Sequence, residues 1–187
     1  MATMLMYLQS DPGTWTGLIF SAPLFVTPEA MKPNRLLLFA YGLMFGLAET
    51  WAVMPEPGMV GKAIRDPEKM KLIASNPRRY TGKPRVGTRR ELTRACQYVQ
   101  ENMSRVEVPF LTVHGTADIV TCPTSSQLLY ERASSEDRTI KLYEGKYHSL
   151  IQGEPDESAN DVLRDMREWI DERVVRYGEG KVVKLVD

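Results

Sequence analysis

Only two cysteines occur in the 187 residues, Cys96 and Cys122, and they lie far apart in sequence. That spacing makes neither a disulfide framework nor a metal-ligand pattern, and a reducing compartment such as the cytoplasm is the default setting. An excess of charge is lacking too: 24 Lys and Arg stand against 24 Asp and Glu. This balance gives no electrostatic ground for a nucleic-acid partner or a strongly anionic one. No apolar run reaches the roughly 20 residues of a membrane span. The most apolar stretch, Leu36 to Trp51, is interrupted by Gly42 and Gly46 and carries Glu49. It is expected to be a buried or surface-seeking helix. Met1 to Ser10 lacks the basic start and small-residue cleavage site of a secretion signal. No internal repeat or low-complexity segment stands out.

What is present is the composition of an ordinary globular domain, 43% hydrophobic and 26% charged, in a chain long enough for a real core. Met1 to Gln9 reads as a helix with Leu5, Met6 and Leu8 apolar, stopped by Ser10-Asp11-Pro12-Gly13. Thr16 to Ser21 reads as a short buried strand, ended by Ala22-Pro23. From Pro28 to Arg105 helical patterns alternate with breaks at Pro33, Pro55, Pro57, Gly58, Pro67, Pro77, Gly82 and Pro84. The clearest helix there is Arg89 to Asn102, with Leu92, Ala95, Cys96 and Val99 on one face. Order returns with a strand from Val108 to His114, a helix opened by Pro123, and a strand from Thr139 to Tyr143. A long helix from Pro155 to Tyr177 follows, with an apolar stripe of Val162, Leu163, Met166, Trp169, Ile170 and Val174 and a stop at Gly178. Gly180 to Asp187 reads as a loose tail. Outside the helical insertion this is the β–α alternation of a parallel sheet flanked by helices, an α/β protein. Three strands are few for such a sheet, which hints at a missing part.

Two loops carry chemistry. His114-Gly115-Thr116-Ala117-Asp118 sits at the carboxyl end of a strand, the edge of an α/β sheet where ligands and reacting groups gather. Gly145-Lys146-Tyr147-His148-Ser149-Leu150 follows the next strand. A carboxylate on the first loop can orient an imidazole on the second. Taken singly, Asp118 is a common turn residue and His148 a satisfied polar group; as a pair on equivalent loops they read as an acid and a base. The partner nucleophile is lacking. None of the ten serines has Gly two places before and two after it, the pattern of a nucleophile elbow. Ser125, Ser126 and Ser149 lie in plausible loops without the elbow. Cys122 is the alternative nucleophile, but it precedes Pro123 at a helix start, where a packed thiol is the better reading. Trp15, Trp51 and Trp169 read as packing residues. Arg85, Arg89, Arg90 and Arg94 read as a solvated helix face, and Glu154 and Asp156 as helix-start charges rather than a metal site.

The run Val108-Pro109-Phe110-Leu111-Thr112-Val113-His114-Gly115-Thr116-Ala117-Asp118 resembles the acid segment of monoacylglycerol-lipase-like serine hydrolases, and so does its continuation through Cys122-Pro123-Thr124-Ser125-Ser126 and Leu128-Leu129-Tyr130. Leu142-Tyr143-Glu144-Gly145-Lys146-Tyr147-His148-Ser149-Leu150 resembles their histidine segment, and Gly153-Glu154-Pro155-Asp156-Glu157 the lead into their last helix. Ile73-Ala74-Ser75-Asn76-Pro77 and Tyr80-Thr81-Gly82-Lys83-Pro84-Arg85 point to the plant branch, which includes caffeoylshikimate esterases. The likeness runs from Ala2 to about Tyr177.

This resemblance implies an α/β-hydrolase fold in which residues 1–23 and 106–177 form core, 24–105 a helical cap, and 178–187 a tail. It implies hydrolysis of a carboxylic ester (a lipid monoester, a lysophospholipid or a phenolic ester), with Asp118 as acid and His148 as base. No cofactor and no metal enter that chemistry. The partners implied are a small acyl or aryl ester and a membrane surface touched peripherally by the cap, not nucleic acid. In this family the helix resembling Ala2 to Gln9 follows the elbow Gly-x-Ser-Met-Gly-Gly directly. The nucleophile, oxyanion loop and first strands are therefore expected upstream of Met1. Two consequences are expected: negligible esterase activity for the chain alone, and an exposed apolar sheet edge near Leu18 to Phe20 that invites a partner chain. The alternative is a non-catalytic short form acting as an interaction or regulatory protein.

Overall fold

A computed structural model describes residues 1–27, 49–52 and 60–178. Most of the apolar stretch from Leu36 to Trp51, the breaks at Pro33, Pro55, Pro57 and Gly58, and the tail from Gly180 lie outside the described residues. The chain opens with helix α1 (Ala2–Gln9) and strand β1 (Leu18–Ser21). The insertion contributes a single turn, α2 (Val60–Ala63), then α3 (Pro67–Ala74) and the long α4 (Val86–Glu101). Strand β2 (Phe110–Gly115), helix α5 (Thr124–Arg132), strand β3 (Arg138–Tyr143) and helix α6 (Asp156–Gly178) follow.

The three strands form one parallel sheet in the order β1-β2-β3, with Leu18 opposite Phe110 and Phe110 opposite Arg138. Strand β2 is central and every residue in it is buried. Pro109 has no N–H to give a ladder, so the strand starts after it; its carbonyl still accepts from Leu18 N at 2.9 Å.

Alternation along β2 divides the core. Phe110 packs with Leu18, Phe20, Met4, Tyr7, Leu8, Val99, Met103 and Leu129 on one face. Leu111 and Val113 pack with Leu150, Val162 and Trp169 on the other. Each such large side chain, fully buried, contributes about 1.5–3 kcal/mol of transfer free energy. Aromatic edges add specificity: Phe20 meets Phe25 at 5.5 Å and Phe110 at 6.4 Å, both T-shaped.

Several faces differ from the sequence expectation. In α1 the core face is Met4, Tyr7 and Leu8, at i, i+3 and i+4, while Met6 is exposed. In α4 it is Val86, Cys96 and Val99; Leu92 turns outward. The α6 stripe splits: Val162 and Trp169 are buried, Met166 packs against the core, and Leu163, Ile170 and Val174 stay exposed, Val174 at 61%. A three-stranded sheet is too narrow to cover a stripe that wide. Of the tryptophans, Trp51 is 57% exposed and so packs little. Trp15 lies edge-on to Tyr7, and Trp169 takes Arg173 over its ring at 4.6 Å. Both cysteines are free, Cys96 buried and Cys122 half-buried. Among the described residues no helix is long and apolar enough to cross a membrane.

Candidate active site

Parallel pairing sends all three strands to the same carboxyl edge, so the loops after β2 and β3 must emerge side by side. They are sewn together by backbone. Thr116 N donates to Tyr143 O at 2.9 Å, Ala117 N to Lys146 O at 3.1 Å, and Gly145 N to Thr116 Oγ1 at 2.9 Å. Gly115 makes this contact feasible: a Cβ there would overlap the Lys146 carbonyl. Gly145, at φ 68°, turns the second loop in a conformation that favours glycine.

Asp118 sits at the centre with its side chain fully buried. Its Oδ1 accepts from the N–H groups of Val120 (2.8 Å) and Thr121 (2.9 Å). Its Oδ2 accepts from His148 Nδ1 at 2.8 Å, from Thr121 Oγ1 at 2.8 Å and from His114 Nε2 at 3.1 Å. Burial on its own pushes this carboxyl up; the hydrogen bonds from His114, His148 and Thr121 outweigh it and hold Asp118 well below the usual carboxylate range.

The structure thus brings together the two residues singled out as acid and base. The His148 side chain is 29% exposed and presents Nδ1 to the carboxylate. Among the described residues, which include all ten serines and both cysteines, none of these side chains hydrogen-bonds His148. The serines in plausible loops have other work. Ser125 Oγ, buried, accepts from Phe25 N (3.3 Å) and Val26 N (3.0 Å) and ties the start of the insertion to α5. Ser126, also buried, bonds His114 and Thr112. Ser149 donates its backbone N–H to Ala63 O at 3.0 Å.

Three participants escaped the sequence reading. His114 is fully buried on the Asp118 carboxylate. It lies two residues beyond Thr112 and four beyond Phe110, so the strand period alone puts it on the α5 face; that was the available signal. Thr121 serves Asp118 and lies 3.1 Å from His148 Nδ1. It also reaches Ala22 O at 3.1 Å. Ala22 itself holds φ 43°, a left-handed conformation that costs a non-glycine residue about 1 kcal/mol. Its N–H is fixed by Val113 O at 2.8 Å. The third is Glu154, which is a correction. It is no helix-start charge in solvent but a fully buried side chain whose Oε1 accepts from Tyr147 N at 2.6 Å, bracing the loop next to His148. Asp156 does sit exposed at the start of α6 and pairs with Lys69 at 2.6 Å. Arg90 and Arg94 pair with acidic neighbours on the α4 surface, as a solvated face does.

Among the described residues no three His, Cys, Asp or Glu side chains converge as a metal site. A groove of about 560 Å³ lined by Trp15, Thr16, Pro109, Asp137 and Tyr177 lies at the opposite, amino end of the strands, away from Asp118 and His148.

Comparison with known proteins fits this geometry. The Hydrolase_4 family, described as serine aminopeptidase, S33, matches residues 2–156. Caffeoylshikimate esterase of Arabidopsis thaliana is 72% identical over 178 residues, covering 95% of this chain and 54% of that protein. Mouse monoglyceride lipase is 37% identical over 90 residues, 48% of this chain and 29% of its own length. The chain therefore spans about half the length, or less, of these curated relatives. Among solved structures, the monoacylglycerol lipase of Paleococcus ferrophilus superposes with a TM-score of 0.74 at 20% identity, covering 91% of this chain and 64% of that one. A soluble variant of the Saccharomyces cerevisiae monoglyceride lipase, bound to a substrate analogue, gives 0.73 at 19%, covering 91% and 61%. At such identities the likeness concerns fold, and the fold is that of an α/β-hydrolase. With a family match over most of its length, this chain belongs to the Hydrolase_4 family of α/β-hydrolases.

Proposed function

We propose that this chain carries the acid and the base of a serine ester hydrolase, Asp118 and His148, and serves hydrolysis of a small carboxylic ester. The observation that carries the reading is the 2.8 Å bond from His148 Nδ1 to a fully buried Asp118 carboxylate at the carboxyl edge of a parallel sheet. With Nδ1–H committed to Asp118, His148 Nε2 is the basic nitrogen. It takes the proton of an attacking serine hydroxyl and returns it to the departing alcohol; a water then repeats the sequence on the acyl-enzyme and releases the acid. Asp118 holds the tautomer and balances the imidazolium. No serine of the sequence stands in an elbow pattern, and among the described residues none bonds His148.

The substrate class is a lipid monoester, a lysophospholipid or a phenolic ester. The phenolic ester ranks first, because the relative at 72% identity is named a caffeoylshikimate esterase. In this reading residues 24–105 act as a cap over core built from 1–23 and 106–177. A cytoplasmic setting with peripheral contact between cap and membrane completes the proposal. A second reading, a non-catalytic interaction protein, draws on the outer edge of β1, which has no partner strand among the described residues.

The test is direct. The purified chain is incubated with p-nitrophenyl butyrate, a monoacylglycerol and a caffeoyl ester. Loss of a triad serine costs on the order of 10⁶ in turnover, so no hydrolysis above buffer is expected. Joining a segment that contains a Gly-x-Ser-x-Gly elbow ahead of residue 1 is expected to restore turnover that His148→Ala abolishes. Hydrolysis by the chain alone, or restored turnover indifferent to His148→Ala, overturns the reading. Stable co-purification of the chain with a second protein, without any restored turnover, favours the interaction reading instead.

A further inference from the structure

We propose that His114 is a positioning residue that locks the Asp118 carboxylate, and through it the tautomer of His148. The inference rests on the reading of Asp118 and His148 as acid and base. It goes beyond that reading by giving the chain's second histidine a defined protonation pattern and a task.

The direction of every bond follows from what each neighbour can do. His114 Nε2 faces Asp118 Oδ2 at 3.1 Å and the Thr121 carbonyl at 3.3 Å. Both are acceptors only, so Nε2 is the nitrogen that carries hydrogen. Nδ1 lies 2.8 Å from Ser126 Oγ, which in turn lies 2.7 Å from Thr112 Oγ1. One consistent assignment satisfies all of them: Thr112 donates to Ser126, Ser126 donates to Nδ1, and Nε2–H donates to Asp118. Thr112, Ser126 and His114 are all fully buried, so water does not substitute for any link. Bonds aligned in one sense polarise one another toward the carboxylate.

The consequence for His148 runs through Thr121. The Thr121 hydroxyl is 2.8 Å from Asp118 Oδ2, 3.1 Å from Ala22 O and 3.1 Å from His148 Nδ1. Its oxygen also lies 3.3 Å from His114 Nε2. An N–H arriving from His114 meets the hydroxyl on its oxygen side and turns its proton toward Asp118 or Ala22. His148 Nδ1 then faces acceptors alone and keeps its hydrogen, leaving Nε2 free. Without a donor at position 114, Thr121 can donate to His148 Nδ1 instead, and the wrong tautomer becomes accessible.

The chain contains only these two histidines, so imidazole ¹⁵N spectra resolve both without ambiguity. In the unmodified protein at neutral pH the expected result is one tautomer each: Nε2–H for His114 and Nδ1–H for His148. His114→Gln, whose amide can donate to Asp118 and accept from Ser126, is expected to preserve the His148 pattern. His114→Leu is expected to turn His148 into a tautomer mixture. Should His114→Leu not fold, Ser126→Ala supplies the same test, with mixed tautomers expected at both rings. A His114 found as Nδ1–H in the unmodified protein overturns the proposal, and so does a His148 pattern unchanged in folded His114→Leu or Ser126→Ala. Ester hydrolysis plays no part in this readout. Spectra as expected beside turnover that ignores His148 sink the hydrolase reading alone; the reverse outcome sinks this one alone.

Discussion

Asp118 is an anion kept where anions are costly. Its carboxylate pays for burial with five hydrogen bonds, two from backbone N–H groups and three from side chains. Because its pKa in the folded chain lies below the unfolded value of about 3.9, it contributes stability that is complete above that value. That contribution is lost as pH falls from there through the folded pKa. Urea midpoints measured from pH 7 down to pH 2 are therefore expected to fall steeply below about pH 4. In Asp118→Asn the midpoint should start lower at pH 7 and lose less of its value on acidification. Equal slopes for the two proteins would show that the stabilising bonds belong elsewhere. Asp118 and His148 were legible as a pair because both follow strands in a β–α alternation. His114 and Thr121 were not, since their part depends on directions in space that a linear pattern does not contain.

At the level of elements, the site is a seam between two loops. Gly115 ends β2 where the backbone of the histidine loop passes too close for any Cβ. Gly115→Ala should force Lys146 and Tyr147 away from the acid loop and lower stability by about 1–3 kcal/mol, the usual cost of overpacking. Thermal unfolding measures it, and an unchanged midpoint would mean the seam is loose. The insertion also grips this loop: Arg65 N and Asp66 N both donate to Gly153 O at 2.9 Å, and Lys69 Nζ reaches Glu154 O at 2.8 Å. Most strands and helices here were readable within a residue or two, because apolar period and turn residues speak locally; α4 starts three residues before the expected Arg89, and α2 and α3 were not delimited. Their outward faces were not. Leu92 in α4 and Leu163, Ile170 and Val174 in α6 follow the helical period yet face outward. Periodicity reports which side of a helix is apolar, not whether anything lies opposite.

At the scale of the whole molecule, the sheet formed by the described residues has two edges and β1 forms one of them. The N–H of Leu18 and that of Ala22 point inward to Pro109 O and Val113 O, so by alternation those of Ile19 and Ser21 point to the outer edge. An edge that is apolar and uncharged recruits strands. Light scattering on a sizing column should show mass rising with concentration, and Ser21→Lys, a charge placed on that exposed rim, should suppress it. A strictly monomeric chain at high concentration would show that the edge is guarded. The exposed apolar residues of α6 belong to the same picture, because a sheet of three strands offers a narrow floor.

The sequence by itself determined the α/β alternation, the family likeness and the two loops that bear Asp118 and His148, because these reside in local periodicity and in contiguous runs of residues. Tertiary structure alone decided which nitrogen meets which oxygen. It put His114 behind Asp118, Thr121 between the two histidines and Glu154 beneath the loop of His148. The physical reason is that hydrogen bonds are directional and short. Residues 30 positions apart become partners only when parallel strands deliver their loops to one edge, and burial then raises the cost of leaving a donor or acceptor unpaired.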